Sequence, residues 1–406
     1  MGLSSIFPSF FFLVFLVLFI IEVHVQAQNL IFNVVKYGAR PDGISDNTEA
    51  FNIAWNKACS SEGGNVVLVP NGLFLVGPLL LKGPCKGPIT FHIQGILRAP
   101  TDASSRDQDH WISFQYVDGL SIYGGGSLDG QGSSAWSYNS CLKDPHCKPL
   151  PATMKFDFVT NSTINHITSI NSKGSHIILF GCNSFTIHNI KISAPGDSPN
   201  TDGINIGNSK NILIFDSEIA TGDDCISMSP GSKTINITNI KCGPGHGISV
   251  GSLGGTPNED VVDGVLVTNC NLTGTSNGLR IKTKANPSYP TTVSNITFQQ
   301  ILVYNVANPI IIDQQYCPSK DCKPVISPSR VGISDVRFTT ITGTTSTRVA
   351  VNLLCSSAKP CEEIELRDIN IDYDGLPRGP ATSSCSNVYG VAYGIQNPPP
   401  CIRRSL

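Results

Sequence analysis

Six side chains between Asp202 and Lys282 can together do acid–base chemistry on an anionic molecule. Asp202 sits in Asn200-Thr201-Asp202-Gly203. Asp223 and Asp224 sit in Gly222-Asp223-Asp224-Cys225. His246 sits between two glycines in Gly245-His246-Gly247, and Arg280 and Lys282 alternate in Leu279-Arg280-Ile281-Lys282. Three carboxylates held close together cannot all ionise without penalty, so one should keep its proton. A protonated carboxyl is a general acid, and an ionised neighbour can activate water as a base. Acid and base with room for one water between them suit inverting glycoside hydrolysis. Arg280 and Lys282 would hold an anionic group, and His246 would tune the acid or place a hydroxyl.

The apolar residues around these groups predict that they meet. Asp202-Gly203-Ile204-Asn205-Ile206 aligns with Asp224-Cys225-Ile226-Ser227-Met228, and both align with His246-Gly247-Ile248-Ser249-Val250. The first residues of these segments are spaced 22 apart. Asn277-Gly278-Leu279-Arg280-Ile281 takes the same place after a longer loop. If each segment is one coil of a stack, equivalent residues lie about 4.8 Å apart. Ile204, Ile226, Ile248 and Leu279 then form an inward column. Asn205, Ser227, Ser249 and Arg280 form an outward row, followed by Gly207, Ser229, Gly251 and Lys282. Each fragment alone also fits a solvated turn or ordinary strand surface. Three acids would also suit Ca²⁺, but the cations one to two coils away point to an organic anion. The shared register is what favours a site.

The rest of the chain supplies the coils. An apolar-x-polar-apolar phrase recurs as Ile164-Asn165-His166-Ile167, Ile187-His188-Asn189-Ile190, Ile237-Thr238-Asn239-Ile240 and Val267-Thr268-Asn269-Cys270. Looser copies start at Phe298, Phe338 and Leu366. Units this short bury a core only by stacking. Leucine-rich repeats need recurrent Leu and helical segments, which are missing here. The prediction is therefore an all-β, single-stranded right-handed parallel β-helix of about ten coils. Asp46-Asn47 should cap a short N-terminal helix with Phe51, Ala54, Trp55 and Ala58 on its buried face. Leu30 to Tyr37 reads as the first strand.

Composition narrows the partners. Net charge is -2 with no Lys/Arg run, which argues against nucleic acid. The apolar stretch Phe7 to Ile21, followed by Val25-Gln26-Ala27, reads as a secretory signal peptide over residues 1–27. Residues 28–406 then form one domain, without a membrane partner in the mature form and expected to be a monomer. Fourteen cysteines in a secreted chain imply disulfides. Close spacing suggests Cys59/Cys85, Cys141/Cys147, Cys225/Cys242, Cys317/Cys322, Cys355/Cys361 and Cys385/Cys401, with Cys182 and Cys270 left as buried thiols. The sequons at Asn161, Asn236, Asn271 and Asn295 fit a secretory glycoprotein. No CxxC pair or other zinc pattern is present, and neither metal nor cofactor is expected.

The four motifs, intact and in order, resemble those of plant polygalacturonases, pectin-degrading glycoside hydrolases of the right-handed parallel β-helix class. Lys36-Tyr37-Gly38-Ala39 to Asp42-Gly43, and Asp129-Gly130-Gln131-Gly132, match further turns of that family. The resemblance covers essentially all of residues 28–406. It implies inverting hydrolysis of α-1,4 bonds in polygalacturonate in the cell wall, without metal. It implies Asp223 as general acid and Asp202 with Asp224 as the pair activating water. It also places Asn200 and Tyr316 at the substrate. Ala194-Pro195-Gly196-Asp197-Ser198-Pro199 and Gly251-Ser252-Leu253-Gly254 look most like the pollen-type, exo-acting branch. The rival readings are an endo-acting polygalacturonase, an inactive pectin-binding wall protein, a Ca²⁺-dependent pectate lyase and a hydrolase of rhamnose-containing pectin.

Overall fold

The computed structural model describes residues 30–101, 109–139, 141, 147–285, 288–317 and 327–402. The expected signal peptide lies outside these residues. The chain winds into a right-handed parallel β-helix. One sheet contains eleven strands, one per coil, from Leu79–Lys82 to Thr382–Ser386. That agrees with the expectation of about ten coils. The other faces merge into a sheet of twenty strands, all their registered pairings parallel. Several strands there, such as Lys210–Ala220 and Thr292–Val306, run through two faces.

The recurring phrase marks the bend between those two faces. Its third residue is His166, Asn189, Asn239, Asn269, Gln300, Thr340 or Asp368, with φ between 47° and 55° in every case. Asp216 does the same in the intervening coil, at φ 50°. Asn, Asp and His tolerate this left-handed conformation better than most side chains. The apolar residues on either side, such as Ile237 and Ile240, or Phe338 and Ile341, point inward and are fully buried. The repeat is therefore a corner holding two core residues. It reads in the sequence because every coil must turn the same corner.

The inward column is as expected. Ile204 pairs with Ile226, Ile226 with Ile248 and Ile248 with Leu279, and all four are fully buried. Truncating one to Ala would cost about 2–5 kcal/mol, the usual range for such a cavity.

The N-terminal end differs in detail from the sequence reading. The first strand is only Ile31–Asn33, because Asn33 accepts from the Val35 N–H and starts a 3-10 turn over Val34–Tyr37. The helix Thr48–Ser60 buries Phe51, Ala54, Trp55 and Ala58 as expected. Phe51 packs on Phe74 and Phe91, and Trp55 on Phe114, so the helix plugs the open end of the core. Asn47 holds the N-cap position without a side-chain cap bond, and Asp46 before it accepts from the Thr48 N–H and hydroxyl. Asn47 instead fastens the preceding loop through Arg40 and Leu75.

Five of the expected disulfides form: Cys59–Cys85, Cys141–Cys147, Cys225–Cys242, Cys355–Cys361 and Cys385–Cys401. Cys317 is also bridged, and its expected partner Cys322 lies outside the described residues. Cys182 and Cys270 are buried free thiols.

Candidate active site

Four consecutive coils build the site where their turns enter the eleven-strand sheet. Backbone hydrogen bonds stack the turns. His176 N–H donates to Asp202 O, Gly203 N–H to Asp224 O, and His246 N–H to Asp223 O, at 2.7, 2.8 and 2.7 Å. Cys225, next to Asp224, is bridged to Cys242, which ties the acid turn to the following strand. Gly222 is required by close approach. A Cβ there would lie 1.9 Å from the Ser198 carbonyl oxygen of the previous coil. The second glycine of this kind is Gly251, with φ +104° and an added Cβ 2.2 Å from Lys282 O.

The outward row forms as far as Arg280: Asn205, Ser227, Ser249 and Arg280 pair in register. It does not continue as expected. The register shifts after Val250, so that Leu253 rather than Ser252 pairs across from Thr283. Gly251 begins this bulge, and the extra residue frees the chain to leave the sheet in the loop that follows Leu253.

The charges are divided unequally. Asp224 is almost fully buried and accepts from three side chains. Ser249 Oγ donates to its Oδ1 at 2.8 Å, Arg280 Nη2 to Oδ1 at 2.5 Å, and Lys282 Nζ to Oδ2 at 2.7 Å. Arg280 Nε also donates to Ser249 Oγ at 2.9 Å. Both cations of the fourth coil thus bind the acid of the second coil. The register brought them together, and charge attraction in a buried site turned them toward Asp224.

Asp223 accepts from His246 Nδ1 at 2.9 Å and from the Asp224 N–H at 2.8 Å, both on Oδ1. Asn200 Nδ2 donates to its Oδ2 at 3.3 Å. Burial works to raise its pKa, but the His246 contact and charge, Lys282 and the backbone N–H prevail, and the carboxyl is held below the usual range. Asp202 has the opposite environment. It lines the cleft with no side-chain hydrogen-bond partner among the described residues. Removal from water, and then the charges of Asp223 and Asp224, push it well above the ordinary carboxylate range against the pull of Lys282. Of the three carboxyls, Asp202 is the one whose surroundings favour the protonated form.

This has a consequence for stability. A raised folded pKa means the fold binds that proton more tightly than the unfolded chain does. The contribution is complete below the unfolded pKa, near 3.9, and is lost as pH rises through the folded value. Asp202→Asn removes the ionisation. The variant should melt above the wild type at pH 7 and level with it near pH 3, as read by calorimetry at both pH values.

Tyr316 takes a place beside the cations. Its ring centre lies 5.8 Å from the Arg280 guanidinium, 5.2 Å from Lys282 Nζ and 5.0 Å from Lys284 Nζ. Its N–H donates to Thr283 O at 3.1 Å. All eight residues singled out in the sequence therefore fall around one locus.

Two participants were not singled out. Ser249 was visible only as a member of the outward row. Asn139 gave no signal, because it arrives from a loop 61 residues before its partner. Cys141 N–H donates to Asn139 Oδ1 at 3.1 Å, and Asn139 Nδ2 donates to Asn200 Oδ1 at 2.9 Å. A backbone N–H can only donate, so it fixes the orientation of both amides and leaves the Asn200 NH₂ facing Asp223.

A cleft of about 630 Å³ lies on the sheet beside the acids. Asn205, Ser227 and Lys282 line it, together with Phe180 and Thr256 to Asp260. Donor atoms of Asp223, Asp224 and His246 lie within 4.8 Å of one another, a spacing that a divalent ion can use. Such an ion would meet Arg280 and Lys282 on the same carboxylate, so the donor set suits cations already supplied by the chain.

Comparison with known proteins agrees with this geometry. The model of the glycosyl hydrolases family 28 matches residues 59–394. The chain is 45% identical over 375 residues to an exopolygalacturonase of Platanus acerifolia, covering 92% of this chain and 98% of that one. It is 45% identical over 398 residues to a polygalacturonase of Gossypium barbadense, covering 98% and 96%. Among solved structures it is similar to a polygalacturonase from Erwinia carotovora ssp. carotovora. That TM-score is 0.69 at 26% identity, over 86% of this chain and 94% of the other. With the motifs, the stacked acids and the coil all in agreement, this chain belongs to the glycosyl hydrolases of family 28.

Proposed function

We propose that the protein is a secreted polygalacturonase that hydrolyses α-1,4-galacturonosyl bonds of de-esterified pectin in the cell wall, from chain ends and with inversion. The observation that carries this reading is the division of labour among the three carboxylates. Asp202 lines the cleft with no side-chain hydrogen-bond partner among the described residues, Asp223 is bonded to His246 Nδ1, and Asp224 is neutralised and fixed by Arg280 and Lys282.

Each role follows from its surroundings. Asp202 can contact a cleft water, and its raised pKa makes it a stronger base once ionised. Asp224 lies under the cations and orients the same water. Asp223 donates the proton to the departing glycosidic oxygen. For that transfer to balance, the proton comes from a doubly protonated His246 imidazolium, whose Nδ1–H faces Asp223 Oδ1; it passes to the carboxylate as the leaving oxygen becomes basic and leaves a neutral imidazole. The acid limb of the rate profile then belongs to Asp202, since the base is lost when it is protonated, and should lie above the ordinary carboxylate range.

Asp223 and Asp224 come closer than the separation of ~6.5–9.5 Å usual for an inverting pair. Two cations on Asp224 weaken it as a nucleophile, which favours water as the attacking group. The relative from Platanus acerifolia bears the name exopolygalacturonase, which supports attack at chain ends. Residues 1–27 act as the signal peptide, and residues 28–406 as one monomeric catalytic domain.

Chromatography and proton NMR of the first products from polygalacturonate test this reading together. Galacturonate monomer of inverted anomeric configuration is expected. Mixed oligomers mean endo attack. Retention would sink the water-attack assignment, and an unsaturated, ultraviolet-absorbing product would mean a lyase. No reducing-sugar release would mean a pectin-binding wall protein.

A further inference from the structure

Lys284 stands two residues beyond Lys282, just past the end of the strand Asn277–Thr283. Its backbone N–H is held by Leu253 O at 2.8 Å, and its side chain is half-buried. Arg280 and Lys282 each contact Asp224. Lys284 has no carboxylate partner among the described residues, and its one specific neighbour is the Tyr316 ring.

Glu259 on the neighbouring loop does not supply a partner. Its carboxylate accepts the N–H groups of Gly254, Gly255 and Thr256 at 2.6, 2.9 and 2.8 Å, and the Thr256 hydroxyl at 3.1 Å. Asp260, on the same loop, is paired with Lys233 at 2.9 Å. Asp313, across from Lys282 in the next strand, accepts from Gln315 N–H. Burial, and then the charge of Lys282, lower the Lys284 pKa. A partly desolvated ammonium beside another cation is unfavourable unless something anionic arrives.

We propose that Lys284 binds a carboxylate of the substrate, a uronate group seated against Tyr316 beside the acid cluster. The inference rests on the pectin reading and extends its specificity to a residue outside the four motifs. Lys282 Nζ carries three donors, of which Asp224 takes one, so it can share the same carboxylate.

The test is Lys284→Met in the full secreted protein, assayed on polygalacturonate. The expected result is a KM raised about tenfold, near the loss of one charge-assisted contact. The kcat should stay within about twofold, and kcat/KM should fall less steeply with salt. Lys284→Arg should restore most of the affinity, and highly methyl-esterified pectin should not distinguish variant from wild type. An unchanged KM and salt dependence would overturn the inference. So would a fall in kcat alone, which would mean that Lys284 merely places Tyr316. If the wild type does not cleave polygalacturonate, the pectin reading fails separately. Calorimetric titration with trigalacturonate then decides for Lys284. Weaker binding by Lys284→Met upholds the inference, and equal binding overturns it.

Discussion

Asp223→Asn is expected to lower kcat on polygalacturonate by roughly 10²–10⁴-fold, the usual worth of a positioned general acid, with KM little changed. Asn keeps the shape of the side chain, so the turn Gly222–Asp224 should stay in place. It cannot donate an acidic proton to the leaving oxygen, and that is the step lost. A residue acting only in the transition state lowers kcat and kcat/KM together. Circular dichroism and the melting temperature would establish that the variant is folded. A folded Asp223→Asn protein with full activity would remove the general-acid assignment. A leaving group that needs no proton, such as an activated aryl galacturonide, should recover much of the rate.

Lys282→Met should destabilise the fold by about 3–5 kcal/mol, because breaking a buried pair leaves an uncompensated charge. Lys282 and Asp224 are 8% and 1% exposed as side chains, so water cannot easily replace the missing ammonium. Arg280 and Ser249 still contact Oδ1, but Oδ2 loses its donor. Denaturant titration reads the loss as a lower midpoint at unchanged slope. The double variant Asp224→Asn/Lys282→Met should regain much of that stability while remaining inactive. Additive losses in this cycle would mean that the pair is not coupled. The outcome matters for function, because it separates two tasks of the same lysine. One is holding Asp224 in the fold, and the other is attracting the substrate.

Much of this was legible in the sequence for a physical reason. A parallel β-helix repeats one geometry at every coil, so each coil needs apolar residues at the same inward places and a tolerant residue at the same corner. Ile237-Thr238-Asn239-Ile240 and its copies record that demand, and the 22-residue steps set Asp202, Asp224 and His246 in one register. The disulfides were legible too, because most join cysteines close along the chain.

Position along a coil is fixed by the backbone, and backbone register follows apolar spacing. Where a polar side chain points, and which partner it takes, is settled by neighbours that spacing does not name. The sequence placed Arg280 and Lys282 in the outward row, and only the packed structure turned both onto Asp224. It implied that one acid keeps a proton, and the unequal surroundings of Asp202 and Asp223 decided which. Asn139 reaches Asn200 from a distant loop, and Lys284 has no carboxylate partner among the described residues because Glu259 and Asp260 are satisfied elsewhere. The sequence by itself determined the coil, the register and the group of residues that meet. The tertiary structure alone decided the hydrogen bonds and charge pairing among them, because those depend on contacts between segments far apart in the chain.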